Sequence, residues 1–355
     1  MKQTLYVSSY TTYPPADGKT AEGLYLFTMD DETGHLKRVL AADAGQNPAF
    51  LAVSSGRNRL YVGNESGDGE VSAFAIHPQR GEVRLLNRQK VQGADPCYVS
   101  LDPSERWLLV ACYSSGTISI FPLDDDGRLG ALAERVQHEG DGPNKPRQDK
   151  AHMHCIRFDP SGQYVLAVDL GLDQVFVYRM DSQTGKLTAH QPDGYHGRPG
   201  AGPRHLAYPP GGGHIYISNE LDSTVTACAW DSSRGVFETL QTLTTLPKGF
   251  TGENTVADIH VTPNGEFLYV SNRGDNSLAA FRVDEKSGLL SPIGIYSCGG
   301  DWPRNFAIDP TGRFLLVANQ KSGSLVAFRI GEDGVPMRTD QEADGLIAPV
   351  CVVFA

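Results

Sequence analysis

The sequence predicts an all-β fold, and three of its features carry the prediction. Glycine and proline are frequent, at 39 and 22 of 355 residues, and they separate short runs rich in β-branched and aromatic residues. No segment keeps the 3.6-residue apolar period of an amphipathic helix. A unit of roughly 50 residues recurs seven times, which is typical of proteins built from repeated sheets.

Each repeat contains the same succession of strands. The seven copies of one strand are centred on residues 5–7, 60–62, 108–110, 165–167, 215–217, 268–270 and 315–317. Another strand of alternating apolar residues follows each copy and ends in a glycine-containing turn such as RGEV. A further strand, ending in a turn such as Asp102-Pro103, precedes each of the last six copies. The first copy lacks this strand, but the C-terminal segment PVCVVF matches it.

These repeats predict a single seven-bladed β-propeller domain over residues 1–355, built from four-stranded antiparallel blades. The C-terminal strand should pair into the N-terminal blade and so close the ring. Because each blade buries both faces against its neighbours, an open ring would expose apolar surface and unpaired edges. A chain that ends before Pro349 should therefore lose stability cooperatively.

The composition excludes several classes of function. The chain has 31 Lys and Arg against 42 Asp and Glu, a formal net charge of −11, so neither nucleic acid nor a membrane surface is expected as a partner. Six scattered cysteines without a CxxC pair predict reduced thiols. The sequence has no signal-peptide-like segment and no apolar run long enough to span a bilayer, which predicts a soluble cytoplasmic protein. A monomer is the expected state.

Polar residues gather at one predicted rim of the propeller. In a four-stranded blade the innermost strand begins at the rim where its neighbour, the second strand counted from the channel, ends. Two positions per blade therefore converge around the channel mouth. Strands buried between blades should be apolar there. From the fourth blade onward these positions instead carry His154, Asp169, Arg204, His205, Glu220, Asp258, Arg273, Arg304 and Asn305. The sequence therefore predicts a polar site at this rim.

Three arginines at one opening of an acidic protein favour a small anionic ligand. The guanidinium groups of Arg204, Arg273 and Arg304 can bind carboxylate or phosphate through paired hydrogen bonds. His154 and Glu220 add groups that can transfer protons. A structural alternative stays open, because Glu220 and Arg273 could simply form a salt bridge between blades.

The histidines at this rim are also ambiguous. His205 could be either a site residue or a core histidine bonded to a carbonyl. His152 and His154 lie on one strand face, but no third ligand at a diagnostic spacing accompanies them, and Asp258 with His260 leaves the same question. Neither a metal nor another cofactor is predicted.

One connection is longer than the others and should cross the same rim. Residues 138–150 contain two glycines and two prolines and lead into the strand that carries His154. Long insertions are more often solvent loops, but this one brings Asn144 and Arg147 directly upstream of His154. We expect both residues to contact the substrate and the loop to become more ordered when an anion binds.

Four segments are more specific than the repeat. They are GDGPNKPRQDKAHMH (140–154), GAGPRHLAYPPGGGHIYISNELDSTV (200–225), ADIHVTPNGEFLYVSNRGDNSLAAF (257–281) and WPRNFAIDPTGRFLLVANQ (302–320). Together they resemble the propeller-type lactonase family, which includes bacterial 6-phosphogluconolactonases and fungal carboxy-cis,cis-muconate cyclase. The resemblance runs over nearly the whole chain. One departure is YPPGGG at 208–213, on the opposite rim, where members usually have a His-Pro turn.

The resemblance implies a site made of a His, an Arg, a Glu and a second Arg. These fall on His154 in AHMH, Arg204 in GPRH, Glu220 in SNEL and Arg273 in SNRG. The implied reaction is hydrolysis of a sugar lactone, with 6-phospho-D-glucono-1,5-lactone as substrate, in the pentose phosphate pathway. His154 is the expected general base, with Glu220 as its competitor. The expected substrate-binding residues are Arg304, Arg147, His205, Asn144, Asp258 and Asn305.

Two other functions stay open at this point. Cyclisation of a muconate-like diacid would use the same anion-binding arginines and the same proton-transfer group. A non-catalytic scaffold that binds a protein partner on its rim is the second alternative. Scaffolds present exposed aromatic residues, and Tyr10, Tyr98 and Tyr113 give this reading only weak support.

Overall fold

The computed structural model describes residues 2–12 and 21–355, and the regular secondary structure of these residues consists of strands. The strands form seven antiparallel sheets, and each sheet consists of strands that are consecutive along the chain, except that the C-terminal strand joins the first sheet. The predicted all-β, seven-bladed propeller is confirmed.

Blades 1 to 3 contain the first eleven strands. Blade 1 holds β1 (Lys2–Ser9), β2 (Gly23–Asp30) and β3 (Leu36–Asp43). Blade 2 holds β4 (Pro48–Val53), β5 (Arg59–Asn64), β6 (Glu70–Ile76) and β7 (Val83–Lys90). Blade 3 holds β8 (Pro96–Leu101), β9 (Trp107–Cys112), β10 (Thr117–Pro122) and β11 (Glu134–Gln137).

Blades 4 and 5 follow in the same order. Blade 4 holds β12 (Met153–Phe158), β13 (Val165–Asp169), β14 (Gln174–Met180), β15 (Leu187–Ala189) and β16 (Tyr195–His196). Blade 5 holds β17 (Pro203–Ala207), β18 (His214–Asn219), β19 (Thr224–Asp231) and β20 (Val236–Thr244).

Blades 6 and 7 complete the ring. Blade 6 holds β21 (Thr255–Val261), β22 (Phe267–Arg273), β23 (Ser277–Val283) and β24 (Leu290–Ser297). Blade 7 holds β25 (Pro303–Ile308), β26 (Phe314–Asn319), β27 (Ser324–Ile330) and β28 (Pro336–Ala343). The last strand, β29 (Pro349–Phe354), pairs antiparallel with β1 as the innermost strand of blade 1. The predicted closure of the ring by the C-terminal strand is confirmed.

Blade 4 departs from the predicted four strands. Its outer strand β15 is short and pairs only with the last part of β14, from Tyr178 to Met180. That leaves the beginning of β14 open, and β16 covers it by pairing with Gln174 and Val175. The fifth strand therefore protects a sheet edge that would otherwise have unpaired backbone groups.

The blades hold together through apolar faces. Between blades 7 and 1, Phe314 and Leu316 pack in one cluster with Val7 and Phe27, and all four are buried. Burial of each side chain of this kind stabilises the folded protein by about 1.5–3 kcal/mol. The inner strands are the most deeply buried, as in β26, whereas the outer strand β3 is largely solvent-facing.

The turns after the innermost strands follow their sequence signal. Asp102, Asp159 and Asp309 each accept, on one carboxylate oxygen, the backbone N–H five residues later, at 2.7–2.9 Å. Because this bond closes the turn from the side chain, the Asp-Pro pairs mark where the innermost strand ends.

Two further observations concern the chain as a whole. All six cysteines are unpaired and buried. Within residues 2–12 and 21–355, the structure has no helix of the length and apolar character needed to cross a membrane.

Candidate active site

A bulge at the start of each innermost strand sets up the channel mouth. In blade 5, Pro203 pairs with Asn219 and His205 with Ser218, so Arg204 between them has no partner in the ladder. The same register shift leaves one residue without a ladder partner in five other blades, namely Ala49, Cys97, His154, Arg304 and Val350. Bulges redirect side chains and are common beside active sites. One of the rim positions selected by the repeat alignment, the one that carries His154, Arg204 and Arg304, is therefore the bulge position.

A second repeated feature fixes the ends of the second strands. The backbone carbonyl of the residue before the innermost strand accepts a hydrogen bond from the N–H of the residue just after the second strand. In blade 5, the Glu220 N–H donates to the Gly202 carbonyl at 2.7 Å. Five other blades have the equivalent bond, from Tyr10, Glu65, Tyr113, Leu170 and Gln320. The fold thus places Glu220 at the rim by its backbone.

Glu220 lies at the centre of three arginines. Its Oε2 is 2.9 Å from Nε of Arg204 and 2.8 Å from Nη2 of Arg273, and its Oε1 accepts a 2.5 Å hydrogen bond from Nη2 of Arg147. Glu220 and Arg204 are each 3% exposed. Arg204 and Glu220 belong to blade 5, Arg273 to blade 6 and Arg147 to the long loop. The salt bridge between blades that the sequence left open is therefore present, as part of a larger cluster.

The charged groups in this cluster shift one another's pKa values. Burial alone would raise the pKa of Glu220, but Arg273, Arg204 and Arg147 outweigh it and lower the pKa to about 2. Burial lowers the pKa of Arg273 to about 10, against the opposing charge of Glu220. Near neutral pH all four groups are charged, so the cluster carries a net charge of +2 from three guanidinium groups and one carboxylate.

His154 stands beside this cluster as a neutral imidazole. Its ring centroid is 5.2 Å from that of His205 and 5.5 Å from that of Tyr113, and its Nδ1 lies 3.9 Å from Sγ of Cys97. Burial, together with the positive charge of Arg204, lowers the pKa of His154 well below its usual range. The ring is therefore unprotonated at neutral pH.

His205 is held by a buried hydrogen-bond network. Its Nδ1 lies 2.8 Å from Oδ1 of Asp258, whose Oδ2 interacts with Nε2 of His260 at 2.9 Å and with Nδ2 of Asn305 at 2.5 Å. Asn305 in turn accepts the N–H of Val352 in the closing strand at 2.7 Å. Burial and Arg204 lower the pKa of His205 to about 4. Asp258 and Asn305 thus have protein partners and orient His205.

Arg304 occupies another part of the channel mouth. Its Nη2 lies 3.3 Å from the carboxylate of Glu65, and its guanidinium carbon is 5.1 Å from the ring centroid of Tyr10. The Tyr10 hydroxyl donates to the same carboxylate. Arg304 also lines a narrow cavity together with Arg204 and Cys97. This arginine therefore faces the channel but is separate from the Glu220 cluster.

The long loop is held in place by buried side chains, and one of them, Gln148, lies next to the residue that reaches Glu220. The side chain of Gln148 is buried, and its Nε2 donates to the carbonyl of Leu170 and to Asp173 at 2.9 and 2.8 Å. The neighbouring Arg147 reaches Glu220 while 37% of its side chain stays exposed. Its Nη2 also lies 3.3 Å from the Tyr113 hydroxyl. The loop crosses the active rim, as expected.

A cavity of about 670 Å³ opens beside the arginine cluster, between blades 5 and 6. Arg147 and Arg273 line it together with Asn144, Asn254 and Trp302. A cavity of this size accommodates a small organic ligand. The two loop residues singled out in the sequence, Asn144 and Arg147, thus lie at one cavity.

The histidine pair considered for metal binding has other partners. His152 uses Nδ1 for the carbonyl of Tyr113 at 3.1 Å and Nε2 for Asp149 at 3.0 Å, and its ring stacks on that of Tyr113. In the part of the chain that the structure describes, no three His, Cys, Asp or Glu side chains converge as metal ligands.

Comparison with known proteins decides the family. Residues 4–354 match the family described as lactonase, 7-bladed beta-propeller. The chain belongs to this family. The chain is 37% identical over 308 residues to the 6-phosphogluconolactonase of Bacillus subtilis, with 86% of each chain covered. The 6-phosphogluconolactonase of Formosa agariphila is 33% identical, also with 86% of each chain covered.

Solved structures give the same result. A putative 6-phosphogluconolactonase from Bacteroides fragilis superposes with a TM-score of 0.92 at 34% identity, covering 100% of this chain and 98% of that chain. The periplasmic gluconolactonase of Pseudomonas aeruginosa has a TM-score of 0.93 at 32% identity, with 100% and 99% covered. The resemblance stated from the sequence motifs is confirmed.

The sequence reasoning missed some residues around the candidate site. Tyr10, Glu65 and Tyr113 occupy the rim position after the second strand, but they lie in the first three blades, where the alignment showed no run of charged residues. Asp169 was grouped with the site, yet it is fully buried, and its Oδ1 accepts the N–H groups of Gly171 and Leu172 in the following turn and that of His152, just before β12, at 2.8 Å. Position within the repeat does not reveal where a side chain points.

Proposed function

We propose that this chain hydrolyses 6-phospho-D-glucono-1,5-lactone to 6-phospho-D-gluconate, the lactonase step of the pentose phosphate pathway. It is an enzyme of the carboxylic-ester hydrolase class, like the curated 6-phosphogluconolactonases it resembles. The observation that carries the proposal is the cluster of Arg147, Arg204 and Arg273 around Glu220, beside the neutral ring of His154.

In the proposed mechanism His154 acts as general base. It takes a proton from water, and the resulting hydroxide forms a bond to the lactone carbonyl carbon. When the tetrahedral intermediate collapses, the bond from that carbon to the ring oxygen breaks, and the proton held by His154 passes to this oxygen. The products are a free hydroxyl and a carboxylic acid, which releases its proton to solvent and becomes the carboxylate at neutral pH. The depressed pKa of His154 keeps the ring unprotonated, although it also makes the ring a weaker base.

The arginines supply the positive charge that the reaction needs. Negative charge develops on the carbonyl oxygen, and preorganised donors at that point are often the largest catalytic contribution. Arg204 and Arg273 are buried and fixed by Glu220, so they need little reorganisation. We assign the oxyanion to this pair, and substrate anchoring to Arg304 and Arg147, which keep more solvent exposure.

Glu220 has a supporting role in this mechanism. A carboxylate paired with three arginines and with a pKa of about 2 holds a proton poorly at neutral pH. Glu220 therefore positions the guanidinium groups and balances part of their charge. His205 borders the reacting groups, and Asp258 and Asn305 orient it.

The test is an assay of purified protein against two substrates. We expect 6-phosphogluconolactone to be converted to 6-phosphogluconate well above its spontaneous hydrolysis, and carboxymuconate to be left unchanged. His154→Ala should reduce the rate, while His196→Ala is the control, since His196 is exposed on the outer strand β16. Turnover of carboxymuconate alone would replace hydrolysis by cyclisation, and turnover of neither would favour a binding scaffold.

Two finer points belong to the proposal. We place the enzyme in the cytoplasm as a monomer that needs no nucleic acid or membrane partner, and its unpaired cysteines support a reducing compartment. Cell fractionation and light scattering would test these points independently of the assay.

A further inference from the structure

The channel just inside the rim is lined by a layer of seven residues, one from each innermost strand. In blades 1 to 4 these residues are cysteines or aromatic residues, whereas blades 5 to 7 contribute three polar ones. In blade order they are Cys351, Phe50, Tyr98, Cys155, His205, Asp258 and Asn305. The ring centroids of Phe50 and Tyr98 lie 5.8 and 5.2 Å from that of His205, so these side chains meet inside the channel. Polar groups in such a layer are costly to bury unless they are hydrogen-bonded.

Donors surround both carboxylate oxygens of Asp258. Its Oδ1 accepts the N–H of Ile259 at 3.0 Å and lies 2.8 Å from Nδ1 of His205. Its Oδ2 lies 2.9 Å from Nε2 of His260 and 2.5 Å from Nδ2 of Asn305. Burial would raise the pKa of Asp258, but His260 and His205 outweigh it and hold the pKa well below its usual range. The group is therefore an ionised carboxylate at neutral pH, which accepts hydrogen bonds and donates none.

This carboxylate fixes the tautomer of His205. Because Asp258 only accepts, Nδ1 of His205 carries the hydrogen of their bond. Burial and Arg204 lower the pKa of His205 to about 4, so the ring is neutral and Nε2 keeps its lone pair. Nη1 of Arg204 lies 3.4 Å from both ring nitrogens, a contact that is longer than an ordinary hydrogen bond. Nε2 has no nearer hydrogen-bond partner among residues 2–12 and 21–355, and it is therefore available as an acceptor.

A narrow cavity of about 10 Å³ lies against this imidazole. Arg204, Arg304 and Cys97 line it together with His205. Because Nδ1 of His205 is bonded to Asp258 in the wall, the Nε2 edge is left for the cavity. A bound water needs roughly 10–15 Å³ and two to four polar partners. The cavity therefore suits one water molecule and has no room for a larger nucleophile.

The reacting groups of the candidate site surround this cavity. Nδ1 of His154 lies 3.9 Å from Sγ of the lining residue Cys97, and the His154 ring centroid is 5.2 Å from that of His205. Arg204 lines the cavity and also reaches Glu220. The expected base, the expected oxyanion donor and a water-sized space are therefore adjacent.

We propose that this cavity binds the water molecule that attacks the lactone and that His205 orients this water through Nε2. The inference rests on the proposed function. The water donates one hydrogen bond to Nε2 of His205, its other proton passes to His154, and its oxygen forms the bond to the lactone carbonyl carbon. His205 stays neutral and is a catalytic residue that positions the nucleophile. Asp258 acts through His205 and is a positioning residue.

Two substitutions separate the acceptor from the aromatic ring. His205→Phe keeps a planar ring among the aromatic residues of the channel but has no acceptor, whereas the amide oxygen in His205→Gln can accept from the water. His205→Phe should lower kcat on the order of 10²-fold, the cost of a misplaced reactant, with KM nearly unchanged, and His205→Gln should recover part of the loss. Equal losses in both variants, or a raised KM with normal kcat, would overturn the role of Nε2.

His214→Phe is the matched control for these variants. His214 begins β18, at the end of that strand away from the active rim. The same change of side chain should therefore leave both kcat and KM as in the wild type.

Methanol tests the size of the cavity. In water–methanol mixtures the wild type should form 6-phosphogluconate without its methyl ester, because the cavity admits water alone. His205→Ala enlarges the cavity and should form the ester as well: the methanol oxygen bonds to the carbonyl carbon, and the methanol proton passes to His154. An ester-to-acid ratio that is the same in both proteins would overturn the water site.

Two measurements on the wild type do not depend on turnover. A crystal structure should show one ordered water within about 3.2 Å of Nε2 of His205, and long-range ¹H–¹⁵N spectra of histidine-labelled protein should show His205 as the neutral tautomer with its hydrogen on Nδ1. If lactone is turned over without such a water, or if the hydrogen is on Nε2, the inference is wrong. If the water is present and no lactone is turned over, the water site stands and the proposed function fails.

Discussion

Oε2 of Glu220 in blade 5 lies 2.8 Å from Nη2 of Arg273 in blade 6, so a buried ion pair joins two blades at the channel mouth. The same oxygen is also 2.9 Å from Nε of Arg204. One carboxylate therefore serves both the stability of the ring and the arrangement of the candidate active site.

Glu220→Gln should destabilise the protein and abolish most activity. The substitution removes the negative charge and leaves Arg204 and Arg273 buried without compensation, which typically costs about 3–5 kcal/mol. Urea unfolding measures the change in the free energy of unfolding, and steady-state kinetics measure the loss of kcat. Full stability with lost activity would instead favour Glu220 as the general base.

The pH dependence of stability should carry the signature of Glu220. Its pKa is about 2 in the folded protein and about 4.3 when unfolded, so the unfolded state binds the proton more tightly. The stabilisation is then complete above about pH 4.3 and is lost as the pH falls towards 2. The stability difference between wild type and Glu220→Gln should therefore shrink across this window. A difference that stays constant there would contradict the charged cluster.

His154→Ala should lower kcat by about 10²–10⁴ if this ring is the base. Because the pKa of His154 is depressed, its ring stays unprotonated below pH 6.5, and the acid limb of kcat/KM in the wild type should lie below that pH. A limb at or above pH 6.5, or a His154→Ala variant with normal kcat, would transfer the role to another group.

The sequence predicted the blades and their closure because each depends on local signals. The apolar alternation, the Asp-Pro turns and the repeat length are all readable from neighbouring residues. The repeat also located Arg204, Glu220 and Arg273, since these stand at its bulge and strand-end positions. Their grouping could be anticipated because neighbouring blades place equivalent positions side by side.

Contacts across the channel were beyond this reasoning. Arg304 in blade 7 reaches past blade 1 to Glu65 in blade 2, and that pairing depends on side-chain length and direction rather than on repeat position.

The long loop should respond to ligand only in part. Gln148 is already buried and bonded to Asp173, so hydrogen exchange there should be slow with or without 6-phosphogluconate. Protection should increase at residues 141–147, and Arg147→Ala should raise KM several-fold, as expected for loss of a partly exposed charge-assisted contact. Unchanged protection together with a normal KM would make the loop an ordinary connector.

Removal of the closing strand should unfold the ring as a unit. A chain truncated after residue 348 loses the pairing of β29 with β1 and the burial of Val350 and Val352, together roughly 3–6 kcal/mol of apolar burial. Thermal unfolding should stay a single transition at a lower temperature. Two separate transitions would show that the blades unfold independently.

Gly202 offers the sharpest test of how the backbone builds the site. It has φ of 62°, and a Cβ added there would lie 2.5 Å from Cγ of Leu221, while its carbonyl holds the Glu220 N–H. Gly213 on the opposite rim also has a positive φ, of 80°, but a Cβ there meets no atom within 4 Å. The two glycines therefore share a left-handed conformation and differ in the space around them.

Gly213→Ala should cost only the conformational penalty of about 1 kcal/mol and leave kcat unchanged. Gly202→Ala should cost more stability and lower kcat, because Leu221 must move and its neighbour Glu220 with it. Urea unfolding and kinetics on the same two proteins provide the comparison. If both variants keep full activity, the bond from Glu220 to the Gly202 carbonyl does not set the position of the arginine cluster.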